Sequence, residues 1–327
     1  MRGLNNKVVS SQNSLLLLHL ILSEEGISRT ELSNRSGLTK MTVTNIINEY
    51  LKSDWIVESK PSQSEKQGRP IGSLFISDGA PKFIVAEISE KQIAFGLSDI
   101  KGNNSFRQVK EYEETESSFL ETLYSGIDAI LRLAISKRIK GICVSFDGDV
   151  DPISGDLNKA NHPFFKDYNL VTKLKQRYNI EVYTSNSIDN IAVFERYFGL
   201  GRDEDSFLYI HIDSEVTSCL YINGKTRIVN SNSGTNIGHL SIDYNGLSCG
   251  CGNRGCLQSY ISTSSMEKKL RDITKLKSDF KGFCEMQSKK NDARIDWAFK
   301  DMMDKLGFAI ISFLSLLPVI SVLTGTR

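Results

Sequence analysis

The 327-residue sequence has almost no excess charge of either sign: 40 lysines and arginines stand against 39 aspartates and glutamates, a formal net charge of +1. A chain so balanced is not drawn to nucleic acid by its overall field, so any DNA contact must come from a local surface. It also lacks a long apolar run. The longest, Phe308 to Leu323, is interrupted by Pro318 and falls short of the roughly 20 residues that a membrane span needs. It reads as a buried helix, a break and a buried strand, with no membrane insertion. No secretory leader is visible. Leu15 to Leu22 is apolar, but polar Asn5, Asn6 and Gln12 precede it and Glu24-Glu25 follows where a cleavage site needs small residues. The expected compartment is the cytoplasm, where thiols stay reduced and clustered cysteines favour metal over disulfide. Histidine and cysteine are scarce as well, at 4 and 6.

Against that scarcity, one histidine and three cysteines fall within "TNIGHLSIDYNGLSCGCGNRGC", residues 235–256. His239, Cys249, Cys251 and Cys256 supply three thiolates and one imidazole, the composition of a closed tetrahedral zinc site with no open position. Gly250, Gly252 and Gly255 let the backbone wrap tightly enough for the sulfurs to converge. A reduced cluster without metal is the bland alternative. Cys143, Cys219 and Cys284 are isolated and read as ordinary core or surface cysteines.

The length suits two or three domains. The first sixty residues read as a helix-turn-helix. Asn13 can cap a helix carrying Leu16, Leu17, Leu20 and Ile21 at helical spacing, and Gly26 ends it. Ser28-Arg-Thr-Glu31 has the form of a capping box. A short second helix through Leu32 and a turn at Ser36-Gly37 follow. A third helix opens at Thr39 and runs to Leu51, with Val43, Ile46, Ile47 and Leu51 inward. Its other face offers Thr39, Lys40, Thr42, Thr44 and Asn45, small polar groups suited to base edges and phosphates. Ser28 and Arg29, at the start of the second helix, join the candidate contacts. Trp55 to Glu58 and Ser73 to Ile76 alternate like a hairpin, a wing whose loop holds Lys60, Lys66 and Arg69. Lys66 and Arg69 complete the candidate DNA contacts. A module used only for packing or dimerisation is the competing reading.

From Pro81 the pattern becomes alternating strands and helices, an α/β body with mixed sheets. Strands are expected at "FIVAEI", "QIAFGLSD", "GICVSF" and "EVYTSN". A helix bearing Phe119, Leu123, Ile127, Ile130 and Ala134 lies between the second and third, and another runs from Ser187 to Phe198. A further hairpin pairs "SFLYIHID" with "TSCLYINGK", with Asn223-Gly224 as a turn signal.

The order of winged helix-turn-helix, two strands, "GDVDPISG", "SNSIDNIAVFERYFGLGR", "INGK" and the glycine-histidine-cysteine stretch resembles the ROK family, whose members are repressors, open reading frames and sugar kinases. The resemblance covers nearly the whole chain and, given the N-terminal helix-turn-helix, points to the repressor branch. It implies residues 1–78 as the DNA-binding head and residues 79–327 as an actin-like, hexokinase-like (ribonuclease H-like) two-lobed body for effector binding and dimerisation. It also implies zinc at His239, Cys249, Cys251 and Cys256. Relatives continue past the strand that "PVISVLTGTR" resembles, so a second lobe shortened at that end is the expectation.

The resemblance also shows what is missing. The family's asparagine-aspartate pair, whose aspartate is the kinase base, aligns with Asn186-Ser187, so Ser187 stands at the catalytic position and no catalytic residue is expected. The phosphate loops read Glu87-Ile88-Ser89 and, from Asp213, "DSEVTSC", with Glu215 where a glycine belongs. Two carboxylates of the sugar pocket have become the amides Asn236 and Gln258, which donate as well as accept. The candidate ligand-binding residues are Asn161, Asn186, Asn236, His239 and Gln258, with His162 beside Asn161 in the loop that corresponds to a sugar-contacting one. The expected partners are a double-stranded DNA operator, a sugar or sugar-phosphate effector or else a regulatory protein, and a second copy in a homodimer or higher homo-oligomer. The expected function is a repressor of carbohydrate genes. A sugar kinase, or a protein-interaction module that has lost ligand sensing, are the rivals.

Overall fold

The computed structural model describes residues 6–59, 72–134, 138–151, 153–158, 164–202, 204–222, 225–226, 237–290, 292–315 and 321–325. The chain divides into two compact units, Met1–Ser185 and Asn186–Arg327.

The first unit begins with helices α1 (Asn6–Ser23), α2 (Arg29–Ser36) and α3 (Lys40–Lys52), then strands β1 (Ile56–Glu58) and β2 (Leu74–Ile76). α1 starts seven residues before the expected cap at Asn13, because nothing between Asn6 and Asn13 breaks a helix. The capping box at α2 is complete: the Glu31 amide donates to the Ser28 hydroxyl at 3.2 Å, and the Ser28 amide donates to the Glu31 carboxylate at 2.9 Å. Gly37, at φ 69°, closes α2 in the left-handed conformation. Thr39 caps α3 rather than opening it. The wing pairs antiparallel in the register Ile56↔Ile76, Val57↔Phe75 and Glu58↔Leu74. Leu17, Ile21, Leu32, Val43, Ile47, Ile56 and Leu74 are buried together, so three helices and the wing share one apolar core.

β3 (Lys82–Ile88), β4 (Gln92–Asp99) and β5 (Asn104–Glu111) form an antiparallel meander. β5 was not expected: it is an edge strand whose alternate residues are exposed, and "NSFRQVKE" carries too little apolar signal. α4 (Glu116–Leu133) buries Phe119, Leu123, Ile127 and Ile130 as anticipated. β6 (Ile139–Phe146) lies parallel to β3, a small hairpin joins β7 (Asp149–Val150) to β8 (Leu157–Asn158), and α5 (Leu170–Tyr178) leads to β9 (Glu181–Asn186). The sheet order is β5-β4-β3-β6-β9. The head and this sheet fall in the same compact unit. Lys101 pairs with Glu25 at 2.6 Å, the Arg138 guanidinium donates to the Ser53 carbonyl at 2.8 Å, and Ile100 packs on the head's core.

The second unit holds α6 (Ser187–Phe198), β10 (Ser206–Ile212), β11 (Val216–Ile222), β12 (Lys225–Thr226), a 3₁₀ turn at Ile237–His239, α7 (Gln258–Ile261), α8 (Thr263–Thr274), α9 (Phe280–Lys290), α10 (Ala293–Leu314) and β13 (Ser321–Gly325). Its sheet runs β12-β11-β10-β13, antiparallel but for the parallel β10–β13 pair. Asn223-Gly224 lie outside the described residues, but β11 and β12 flank them in antiparallel register. Leu208, Ile210, Val216 and Leu220 pack with Leu257, Ile261 and α10, while Phe207, Tyr209, Cys219 and Tyr221 pack with Ala192 of α6. A sheet covered on both faces explains why its strands read as near-continuous apolar runs. α10 departs from the expected buried helix: Leu306 and Ala309 are buried, but Phe308 and Ile311 are exposed. None of the described helices is long and apolar enough to cross a membrane.

Candidate functional site

Two places carry chemistry, and each is built by local rules. The first is the loop from His239 to Cys256. The Ile237 amide donates to the Ser218 hydroxyl at 2.9 Å, which ties the 3₁₀ turn to β11 and fixes the position of His239. The loop then folds back on itself: Ile242 donates to the Gly255 carbonyl, Gly255 to Leu247, Cys249 to Asn253, and Leu257 to Leu240. Gly255 sits at φ 69°, and a β-carbon there would lie 1.7 Å from the Asp243 carbonyl oxygen, so only glycine fits.

This wrapping brings together all four residues singled out by their spacing. The donor atoms of His239, Cys249, Cys251 and Cys256 lie within 4.8 Å of one another, an arrangement that could hold a metal ion. His239 Nδ1 and Cys249 Sγ are 3.7 Å apart, as are the sulfurs of Cys251 and Cys256. Cys249 and Cys256 are buried, whereas His239 and Cys251 are exposed. Burial opposes ionisation of Cys249, but hydrogen bonds from the Cys251 backbone and the Gln258 amide outweigh it and hold the thiol well below its ordinary value.

The expected ligand pocket is only partly described, because Asn161, His162 and Asn236 lie outside the described residues. Gln258, expected to face a sugar, points its amide nitrogen at Cys249 Sγ, 3.3 Å away. Asn186 caps α6, its side-chain oxygen accepting from the Ile188 amide at 2.8 Å. Ser187 is buried at the first turn of that helix. Asp189 faces elsewhere, accepting the Cys219 thiol proton at 3.1 Å. Burial pushes the pKa of both groups up, which favours their neutral forms. The turn between β10 and β11 exposes Glu215 and contains no glycine.

The second place is the outer face of α3. Thr39, Lys40, Thr44 and Asn45 are exposed there, and Thr42 is half-buried. The Thr39 and Thr42 hydroxyls pair with each other at 3.0 Å and the Thr44 hydroxyl donates to the Lys40 carbonyl at 2.7 Å, so these groups are held in fixed directions. Met41, which was not among the expected contacts, is 75% exposed on this face. Two expected contacts need correction. Ser28 is buried and its hydroxyl is spent in the capping box, so it is not part of the surface. Arg29 is engaged inside the head by Glu58 and Asn48 instead of standing free. Lys66 and Arg69 of the wing, with Lys60, lie outside the described residues.

A winged helix-turn-helix DNA-binding model matches residues 11–57, over α1 to β1, and the ROK family model matches residues 85–325. The xylose repressor of Bacillus subtilis is 29% identical over 269 residues, which span 80% of this chain and 69% of that protein. Among solved structures, a ROK family transcriptional regulator described as a homologue of the Escherichia coli MLC protein superposes with a TM-score of 0.81 at 20% identity, covering 97% of this chain and 83% of that one. A ROK hexokinase from Thermus thermophilus superposes with a TM-score of 0.63 at 19% identity, over 75% of this chain and 81% of that one. The regulator thus shares the fold over nearly the whole chain, and the hexokinase over three quarters of it. With the family model spanning both sheets and the cysteine loop, the chain belongs to the ROK family.

Proposed function

We infer that this chain is a DNA-binding, sugar-responsive transcriptional repressor of carbohydrate genes. The observation that carries the reading is the capped recognition helix, with a polar outer face, in a winged head placed before a ROK body. Residues 1–78 read the operator, and Thr39, Lys40, Thr42, Thr44 and Asn45 meet base edges and phosphates. The body binds a sugar or sugar phosphate, or a regulatory protein. A ligand that binds the DNA-competent and DNA-incompetent arrangements with different affinity shifts the balance between them. A homodimer presents two heads to two half-sites.

The cysteine loop holds a structural zinc ion in this reading. Around a tetrahedral ion with bonds of about 2.0 Å to nitrogen and about 2.3 Å to sulfur, donor atoms stand about 3.5–3.8 Å apart. The two 3.7 Å pairs support the fit. When bound, zinc cross-links the loop and leaves no open coordination position for a reaction. His239 and the start of α7 are thereby held in place, and Asn161, Asn186 and Asn236 remain the proposed effector contacts. Gln258 is reassigned from the sugar to the cysteine sulfur.

The kinase alternative is disfavoured by the same residues. A serine, Ser187, stands buried where the family's aspartate base belongs, Asp189 is turned toward Cys219, and Glu215 brings negative charge to the turn that would meet a phosphate. Mapping the protein's occupancy on its own genome, with transcript levels in a strain lacking it, tests the reading. Discrete sites beside sugar-utilisation genes whose transcripts rise on deletion are expected. Dispersed binding without such changes, or ATP-dependent phosphorylation of a sugar by the purified protein, contradicts it.

A further inference from the structure

Asn48 lies on the same face of α3 as Met41, Thr44 and Asn45, one to two turns further along, and it is exposed. What distinguishes it is a chain of hydrogen bonds from three elements. At the start of α2, the Arg29 guanidinium grips Glu58 at the end of β1 with Nε to Oε1 at 2.9 Å and Nη2 to Oε2 at 2.8 Å. Its Nη1 donates to the Asn48 side-chain oxygen at 3.1 Å. The guanidinium holds the Glu58 carboxyl below the usual carboxylate range, so the anion that anchors it persists at neutral pH. The Arg29 side chain is only 25% exposed, which limits its freedom to swing away.

A side-chain amide normally offers one acceptor oxygen and two N–H donors, and in that form it reads adenine, which presents N7 as acceptor and N6–H2 as donor. At Asn48 the choice of end is made in advance. Turning the amide over would set its NH2 against the Arg29 N–H, donor against donor. The oxygen therefore faces Arg29 and the NH2 group faces out. We propose that Asn48 is a specificity-determining residue that turns its NH2 donors to the groove, favouring an acceptor-rich major-groove edge, guanine through O6 and N7 or thymine through O4, over the mixed acceptor-donor edge of adenine. Arg29, anchored by Glu58, is the positioning residue that sets this polarity.

The proposal rests on the DNA-binding reading and is tested separately from it. The full-length, zinc-loaded chain is used to select duplexes from a random pool, and the selected duplex is then varied base by base. Failure of the wild type to enrich any sequence sinks the DNA reading itself. Given enrichment, Asn48→Ala loses discrimination at one guanine or thymine position by about 3- to 10-fold, the worth of one hydrogen bond. Asn48→Asp, which presents an acceptor, shifts that position toward cytosine. Arg29→Ala frees the amide to turn and pair bidentately, so adenine gains there relative to guanine and thymine. A merely structural loss lowers affinity for every duplex and adds no base. Glu58→Gln keeps an uncharged anchor and retains the preference in part, which guards against a folding defect in the Arg29 variant. Uniform weakening by Asn48→Ala across all sequences marks a phosphate contact and overturns the proposal. So does an unchanged base preference in both the Asn48→Asp and Arg29→Ala proteins.

Discussion

The head and the cysteine loop hold a polar backbone in a fixed shape by opposite means. In the head, aliphatic side chains from α1, α2, α3, β1 and β2 meet in one buried cluster, and polar groups act at its margins as caps and braces. Between Ser241 and Cys256 there is hardly an apolar interior: Tyr244 is 83% and Leu247 54% exposed, and the buried positions are Cys249, Gly255 and Cys256. The head rests on removal of hydrocarbon from water, whereas the loop rests on turn hydrogen bonds and brings together four side chains that could hold a metal ion. With the proposed zinc bound, the first is expected to be robust to chelation and sensitive to cavities, and the second the reverse.

The largest expected break of this contrast is at the metal. Apparent affinities of structural zinc in small folded peptides amount to about 10–16 kcal/mol. Cys256→Ala, or chelation of the intact protein, is therefore expected to remove the bound ion and to speed amide exchange through residues 240–257 while α3 exchanges as before. A variant with full metal content would contradict the ligand assignment. The next is its mirror image. Ile47 is fully buried in the head, and Ile47→Ala costs about 2–5 kcal/mol, lowering the head's unfolding temperature with metal content unchanged. Ser28→Ala removes one half of the capping box and costs about 0.5–2 kcal/mol, again in the head alone, as a denaturant titration would report. Smallest is Lys40→Ala, which touches neither core nor metal: binding to all duplexes weakens and the slope of log K against log salt falls by about 1. An unchanged slope would remove Lys40 from the phosphate contacts.

Both regions were legible in the sequence where a local rule fixes them. The capping box, the glycine turn and the inward stripe of α3 are written within a few residues of one another, and so is the spacing from His239 to Cys256. What sequence did not show depends on distant partners. Arg29 looked like a free cation because Glu58, 29 residues away, meets it only when the wing folds back on α2. Gln258 was assigned to a sugar by position in the family motif, and its turn toward Cys249 depends on how the loop closes. β5 escaped because its burial comes from its neighbour in the sheet rather than from a strong pattern of its own, whereas α5, with Asn169 as cap and Leu170 and Leu174 inward, was legible and was passed over. The head's union with the first sheet rests on Glu25 with Lys101 and on Ser53 with Arg138, pairs spaced too widely for any motif.

The central claim is that the head reads DNA and the body answers to a sugar. Its most direct test is binding of the zinc-loaded protein to duplex DNA from upstream of its own gene, against a scrambled duplex, over a salt series and with a panel of sugars and sugar phosphates. The account predicts tighter binding to the natural duplex and release by one member of the panel. Equal, weak binding to both duplexes with no response to any sugar would contradict it.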